Sequence, residues 1–327
     1  KTGGLIVIGD SKEIISLVDG GFYIDKEYSA AHLYELAKMD GAIILSKDLR
    51  RIHYANAFLI PDPTIPTSET GTRHKSAERT ARQSGELVIC ISQRRSVITL
   101  YKGTKKYFLK DTATILTRAN QALQTLEKYK AVLESGMNNL TILEFENIVT
   151  LDDVAVVLQR TEMVMRIAAE IDRYICELGN EGRLVSMQLE ELLANIGENG
   201  MLVVEDYYVP SEDRTIEDIL EQLRGLKHDE LMDVASICRV MGYLGGRDII
   251  NMNVSPRGYR IMNKVPRVPM NVVRNLVDRF DNFQGILRAT IEELDDVEGI
   301  GETRAKTIKE GLRRVQDQLL LDNRYIF

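Results

Sequence analysis

Short apolar runs alternate with short amphipathic stretches over the first third of the chain. GLIVIG (4–9), GAIILS (41–46), ELVICIS (86–92) and VITLYKG (97–103) are aliphatic, β-branched runs bounded by glycine, serine or charge, the pattern of buried strands. SAAHLYELAKM (29–39) carries apolar residues at helical spacing behind Ser29, a capping residue, and predicts a helix. A second helix is predicted from about His74 to Ser84, stopped by Gly85. Helices laid against strands predict an α/β (α+β) domain over residues 1–110, a mixed sheet flanked by helices.

From residue 111 to 255 the period lengthens to that of helices. Leu116, Ala119, Leu123, Leu126, Leu133, Met137 and Leu140 form one stripe. Val154, Val157, Thr161, Val164, Ala168, Ile171, Ile175 and Leu178 form another, between a Thr150 cap and Gly179. Shorter helices are predicted at 215–223 and 229–241. Pro210 is the sole proline between Pro66 and Pro256, so long helices are unobstructed. This region reads as an all-α linker or spine, whose stripes leave open which face makes an oligomer contact. SPRGYRIMNKVPRVP (255–269) is a proline-broken basic connector, and 256–327 reads as a small helical unit.

Composition narrows the possibilities. The 327 residues are 44% hydrophobic and 28% charged, ordinary for a globular chain, with room for two or three domains. A net charge of -7 excludes a generally basic nucleic-acid binder, so any such contact must be a local patch. Cys90, Cys176 and Cys238 form no CxxC pair, which argues against a zinc ribbon or a disulfide scaffold and fits a reducing cytosol. No apolar run reaches membrane-spanning length. Lys1 leads directly into a buried-strand pattern, which reads as a chain that starts short of its natural beginning.

Two stretches carry candidate chemistry. In ATIEELDDVEGIGETRAKTIKEGL (289–312), Thr290 and Glu293 form a capping box, a helix ends near Val297, and Gly299-Ile300-Gly301 turns into a new helix near Glu302. Glycines let the backbone turn sharply and approach closely, and the free amides of the next helix face an anion. Arg304, Lys306 and Lys309 add charge, widened by Arg313 and Arg314. The unit looks like a helix-hairpin-helix, with Gly299, Ile300, Gly301, Arg304, Lys306 and Lys309 as DNA-binding candidates that contact backbone phosphates rather than bases. A plain packing unit is the alternative, since the acidic run 292–298 repels DNA.

In ETGTRHKSAERTARQSGE (69–86), Arg73, His74 and Lys75 stand together at a helix start, where unpaired amides already favour an anion. Arg73 offers a bidentate fork, Lys75 a point charge and His74 a hydrogen-bond donor. Thr72 and Ser76 can cap the helix or donate hydroxyls, and Glu78 with Arg82 reads as an ordinary i,i+4 pair. A solvated basic helix start is the competing reading. Asp40-Gly41 ends a helix and opens a buried strand; it is either a simple turn or a carboxylate for a hard metal ion beside a glycine that admits a nucleotide.

Taken in order, MDGAIILS, ANAFLIPD, TSETGTRHKSAERTA and VICISQRRSVITLYKG resemble the diadenylate cyclase domain. With the helical middle and the terminal hairpin, the whole chain resembles the DNA integrity scanning diadenylate cyclase family, without the N-terminal helix that family usually has. The resemblance implies condensation of two ATP into cyclic di-AMP with release of two pyrophosphates. Its Asp-Gly-Ala motif falls on Asp40, Gly41 and Ala42, giving Asp40 the catalytic Mg²⁺ or Mn²⁺ and the ribose hydroxyl. Its Arg-His-Arg motif falls on Arg73, His74 and Lys75, which grip the phosphates; Lys75 departs from the usual Arg. Thr72 and Ser76 become nucleotide contacts, Leu59 the apolar residue against adenine, and Ser92 and Arg95 polar residues near the phosphates. The resemblance further implies a homo-octamer of paired cyclase domains, inhibition by branched DNA such as Holliday junctions, no membrane, and a place in the bacterial cytoplasm at the nucleoid.

Two other functions stay open at this stage. One is a branched-DNA-binding protein whose first domain only senses ATP, favoured by Lys75 and the short N-terminus. The other, a nuclease, needs a cluster of metal-binding carboxylates that the sequence does not offer; the acidic run reads as solvated helix surface. His32, His53 and His228 are isolated in sequence and receive no ligand role.

Overall fold

A computed structural model describes residues 3–94, 97–211 and 213–323. The chain divides into two compact units, 1–116 and 117–327.

The first unit runs β1 (Gly4–Ile8), α1 (Lys12–Ser16), β2 (Val18–Asp19), β3 (Phe22–Glu27), α2 (Ala30–Leu36), β4 (Ala42–Leu45), β5 (Arg51–Leu59), α3 (Thr72–Ser84), β6 (Leu87–Ser92), β7 (Val97–Lys102) and β8 (Lys105–Leu109). The strands lie in the order β2-β5-β4-β1-β6-β7-β8, with β3 also paired to β5. β1 and β4 are parallel and the other pairs antiparallel, which makes the sheet mixed, as the pattern predicts. Alternation along β1 and β4 sorts the core onto two faces. Leu5, Val7, Ala42, Ile44, Val88 and Cys90 pack with Ala77 and Ala81 of α3. Ile6, Ile43, Leu45 and Ile52 pack with Leu33, Leu36 and Ala37, in and just after α2.

Four strands escape the pattern, among them the two-residue β2. β3 and β8 are mostly exposed, so burial imposes no apolar alternation on them. In β5 the register against β4 shifts twice, near Asn56, whose φ of 51° is left-handed. β5 also carries His53, which is not isolated in space: its ring lies between Asp10 at 3.3 Å and Asp25 at 3.1 Å.

The second unit is helical: α4 (Thr112–Glu146), whose first residues belong to the first unit, α5 (Leu151–Leu178), α6 (Arg183–Leu193), α7 (Ile196–Tyr207), α8 (Ile216–Gly225), α9 (His228–Met232), α10 (Val234–Val240), α11 (Tyr259–Asn263), α12 (Met270–Phe280), α13 (Phe283–Arg288), α14 (Ile291–Asp295) and α15 (Glu302–Asn323). Thr150 caps α5 in a reciprocal box with Asp153. The single helix expected over 229–241 is two, because Asp233 leaves helical geometry between α9 and α10.

Buried polar groups tie the end of α4 and α7 to α11. Arg260 pairs with Glu144, which also accepts from the Tyr207 hydroxyl at 2.7 Å. Asp206 accepts from the amides of Gly258 and Tyr259 at 2.7 Å and of Arg260 at 3.1 Å, filling the donors at the start of α11. From α11 onward one apolar cluster runs through α12, α13, α14 and α15.

Candidate active site and nucleic-acid hairpin

Asp40 follows α2 in a turn, its side chain 97% exposed. Gly41 has φ of +94°, and a Cβ there would lie 2.8 Å from the Asn56 carbonyl carbon, so the strand entry requires glycine. Ala42 is buried and pairs with Ala57 of β5, the strand that ends at Leu59.

The other half of the site is the start of α3. Gly71 is the N-cap and no side chain closes it. Thr72 is the first helical residue rather than a cap, and the Ser76 hydroxyl instead reaches the Leu59 carbonyl at 3.4 Å. The first amides of α3 are thus available to an anion. Arg73 lies 3.7 Å from Asp40, which joins two motifs far apart in sequence. Lys75 follows in the same turn, half-buried. Leu59 is half-buried against the core face that α3 covers. His74 and Ser92 line a cavity of 540 Å³, with Glu69, Thr99, Lys106 and Phe108 among its other walls. Arg95 lies outside the described residues.

The loop before α3 is held by two carboxylates: Glu78, read in the sequence only as the partner of Arg82, and Glu69, given no role there. Glu78 does pair with Arg82, at 2.6 Å, but it is buried, and its other oxygen accepts from the Thr67 hydroxyl and the Ser68 amide. Glu69 accepts from the Tyr101 hydroxyl at 2.7 Å and pairs with Lys106. Burial alone would push the Glu69 carboxyl up, but those bonds outweigh it and hold it below the usual carboxylate range. The i,i+4 spacing showed Arg82; nothing local showed Thr67, Tyr101 or Lys106.

Among the described residues no three His, Cys, Asp or Glu side chains come together as a metal cage. Asp40 supplies a single accessible carboxylate. That donor set fits a hydrated divalent cation shared with triphosphate oxygens rather than one enclosed by protein.

In the second unit, α14 and α15 flank the Gly299-Ile300-Gly301 turn, where Gly299 has φ of +84°. The Ile300 side chain is 7% exposed, and its amide is held by the Val297 carbonyl at 3.0 Å. Ile300 therefore anchors the hairpin in the core, leaving the glycines and cations outside. Arg304 bonds back to the Gly299 carbonyl, Lys306 pairs with Glu302, and Lys309 donates to the Leu287 carbonyl at 2.8 Å. Burial holds the Lys309 ammonium below its ordinary pKa.

A second turn of the same plan lies between α11 and α12. Val265, Val268, Val273 and Leu276 stand at one constant offset from Val297, Ile300, Ala305 and Ile308, and all eight share one core. Arg267 occupies the place of Gly299 and adopts the same left-handed backbone, φ of +66°. Arg267 also lines a cavity of 450 Å³ with Gly301, Thr303 and Arg304. Two prolines disguise this turn in the sequence; the matching apolar positions were the available signal.

A mixed-sheet domain with an anion-ready helix start, a helical middle and paired hairpins define a nucleotide-binding enzyme with a nucleic-acid module. Comparisons with known proteins agree. Residues 1–106 match the family model described as the DisA bacterial checkpoint controller nucleotide-binding region, 109–250 the DisA bacterial checkpoint controller linker region, and 282–311 the helix-hairpin-helix motif. The chain is 63% identical over 324 residues to the DNA integrity scanning protein DisA of Acetivibrio thermocellus, covering 99% of this chain and 90% of the relative. It is 58% identical over 318 residues to the protein of that name from Carboxydothermus hydrogenoformans, covering 97% and 90%. It is 56% identical over 322 residues to that of Clostridium botulinum strain Loch Maree, covering 98% and 90%. The chain belongs to the DNA integrity scanning diadenylate cyclase family, and its enzyme class is that of a diadenylate cyclase nucleotidyltransferase. Among the described residues no helix is long and apolar enough to cross a membrane.

Proposed function

We propose that the chain condenses two ATP molecules into cyclic di-AMP and two pyrophosphates, and that branched DNA on its hairpins lowers this synthesis. The carrying observation is the 3.7 Å approach of Arg73 to Asp40 at the uncapped start of α3, which sets a phosphate cradle beside a lone exposed carboxylate. Each 3′-hydroxyl oxygen attacks the α-phosphorus of the opposite ATP, the bond to the β-phosphate oxygen breaks, and pyrophosphate leaves. Asp40 orients that hydroxyl and receives its proton on the way to solvent. Arg73, Lys75 and the α3 amides bear the charge of the triphosphate, while His74 and Ser92 border it. Gly41, Ala42, Leu59, Thr72 and Ser76 shape the nucleoside end. Mg²⁺ or Mn²⁺ bound at Asp40 would supply Lewis-acid assistance.

One domain offers one such cradle, and a ring product contains two equivalent bonds. Two copies must therefore face each other about a two-fold axis, within an octamer in the full assembly. Gly299, Gly301, Arg304, Lys306 and Lys309 take DNA phosphate, which places the protein at the nucleoid in the bacterial cytoplasm. Release of Lys306 from Glu302 and of Arg304 from Gly299 accompanies that contact.

Incubation of the chain with ATP and Mn²⁺ or Mg²⁺, with product identified by mass spectrometry, tests the reading. Cyclic di-AMP is expected, and junction DNA is expected to reduce it. Asp40→Asn should retain the fold and lower output by roughly 10²-fold or more. Normal output from Asp40→Asn contradicts the role, and ATP binding without any product favours a nucleotide sensor instead.

A further inference from the structure

The second unit holds a cavity of 190 Å³ between α5, α7 and α8. Leu158 and Met165 of α5, Met201 of α7, and Leu220 and Leu223 of α8 make much of its wall apolar. Two glycines of α7 shape it. At Gly200 a Cβ would lie 2.7 Å from the Thr161 methyl, so α7 comes close to α5 there. At Gly197, one turn earlier, a Cβ would meet nothing within 4 Å, and that open space borders the cavity.

The wall carries one buried charge. Glu162 of α5 is 6% exposed and makes no hydrogen bond or ion pair with any described residue. Buried polar groups are ordinarily paired, and a carboxylate left alone in apolar surroundings is costly. Its oxygens are not sealed off: none of the closed, unpartnered polar atoms among the described residues belongs to Glu162. Burial pushes the carboxyl above its usual range, and the guanidiniums of Arg224 and Arg166 draw it back without bonding to it.

The groups around Glu162 leave that charge unanswered. Arg166, one turn on, is turned to the end of α8, where it donates to the Leu226 and Arg224 carbonyls. Arg224 lines the cavity but is exposed, and Glu198, the other carboxylate of the wall, accepts from the neutral Asn263 at 3.2 Å. The wall thus sets two carboxylates against one guanidinium, and the buried member of the three is the one that solvent ions screen least.

We propose that this cavity binds a small aliphatic amine in its protonated form, the ammonium donating to Glu162 and the methylenes lying along the leucines and methionines. Such a ligand supplies the donor that Glu162 lacks and ties α8 to α5 and α7. Binding here is independent of the cyclase reaction, and the test reads the cavity without turnover.

The full chain carries isotope-labelled methionine methyls for NMR, and n-butylamine is titrated near neutral pH against sodium chloride at matched ionic strength. The signals of Met165 and Met201, identified by single substitution to leucine, should shift saturably, while that of Met262, buried in the hairpin core, should not. Uncharged n-butanol, of the same length, should bind at least roughly tenfold more weakly. Glu162→Gln keeps the shape of the side chain and should weaken the amine by roughly tenfold or more while circular dichroism stays unchanged. Arg224→Ala removes an exposed side chain that bonds to nothing among the described residues, and should tighten the amine by roughly threefold because a repelling charge is gone. Methionine signals that stay still, shifts that rise without saturating, equal affinity for n-butanol, undiminished binding in Glu162→Gln, or unchanged or weaker binding in Arg224→Ala overturns the proposal.

Discussion

Arg73 and Lys75 bring two cations to the bare start of α3, on either side of His74, and the two do different work. Arg73 already leans toward Asp40, whereas Lys75 presents a compact charge without the planar fork of arginine. Lys75→Arg is expected to lower the KM for ATP by roughly threefold or more, because a bidentate donor grips phosphate better. Unchanged steady-state kinetics remove Lys75 from the cradle. Glu78 shows what a local pattern can and cannot reveal. Its spacing from Arg82 announces the pair, but burial and the grip on Thr67 and Ser68 depend on a loop that folds back across the helix. Glu78→Gln leaves buried donors poorly matched and should cost about 1–3 kcal/mol in urea unfolding; a variant as stable as the parent contradicts that structural role.

At the scale of elements, those legible in the sequence were the ones that carry an apolar run, a helical stripe or a cap: β1, β4, β6 and β7, and the helices α2, α3, α4 and α5. Edge strands carry no such record, and β5 hides behind its irregular register. The start of α11 was also illegible, because its cap is Asp206, more than fifty positions away in sequence. Burial, with Glu144 beside it, pushes the Asp206 carboxyl up to about 7 from 3.8. Between those values the folded chain keeps a proton that the unfolded chain has released. Stability therefore falls as pH rises through that window, and the loss is complete above it. Asp206→Asn should flatten this part of the unfolding profile, and an unaltered slope contradicts the assignment. The two hairpins make a further element-scale case. Arg267 holds a left-handed backbone that glycine adopts freely, beside the Gly301 turn. Arg267→Gly should fold at least as well as the parent while its DNA affinity loses about one unit of log-log salt slope. An unchanged slope means that Arg267 touches no phosphate.

At the scale of the whole molecule, a chain of net charge -7 must concentrate its positive charge to meet a nucleotide and DNA, and it does so at helix starts and hairpins. Gly41 was readable in the sequence because its backbone demand is strict, but the open cap was not, since the helix was expected from about His74 with Thr72 and Ser76 as possible caps; Asp40 and Arg73 received their roles through the family resemblance. Their mutual approach was not readable, since Asp40 and Arg73 meet only once β4 and α3 are in place. The same holds for Arg260 and Glu144, buried partners with no local signature.

The central claim is that ring closure requires an intact Asp40 from each of two facing copies. Co-expression of the chain with its Asp40→Asn variant at graded ratios gives mixed assemblies whose cyclic and linear products can be separated. Cyclic di-AMP should fall as the square of the wild-type fraction, with a linear dinucleotide accumulating from mixed pairs. A yield that falls in simple proportion to that fraction, with no linear product, contradicts the account.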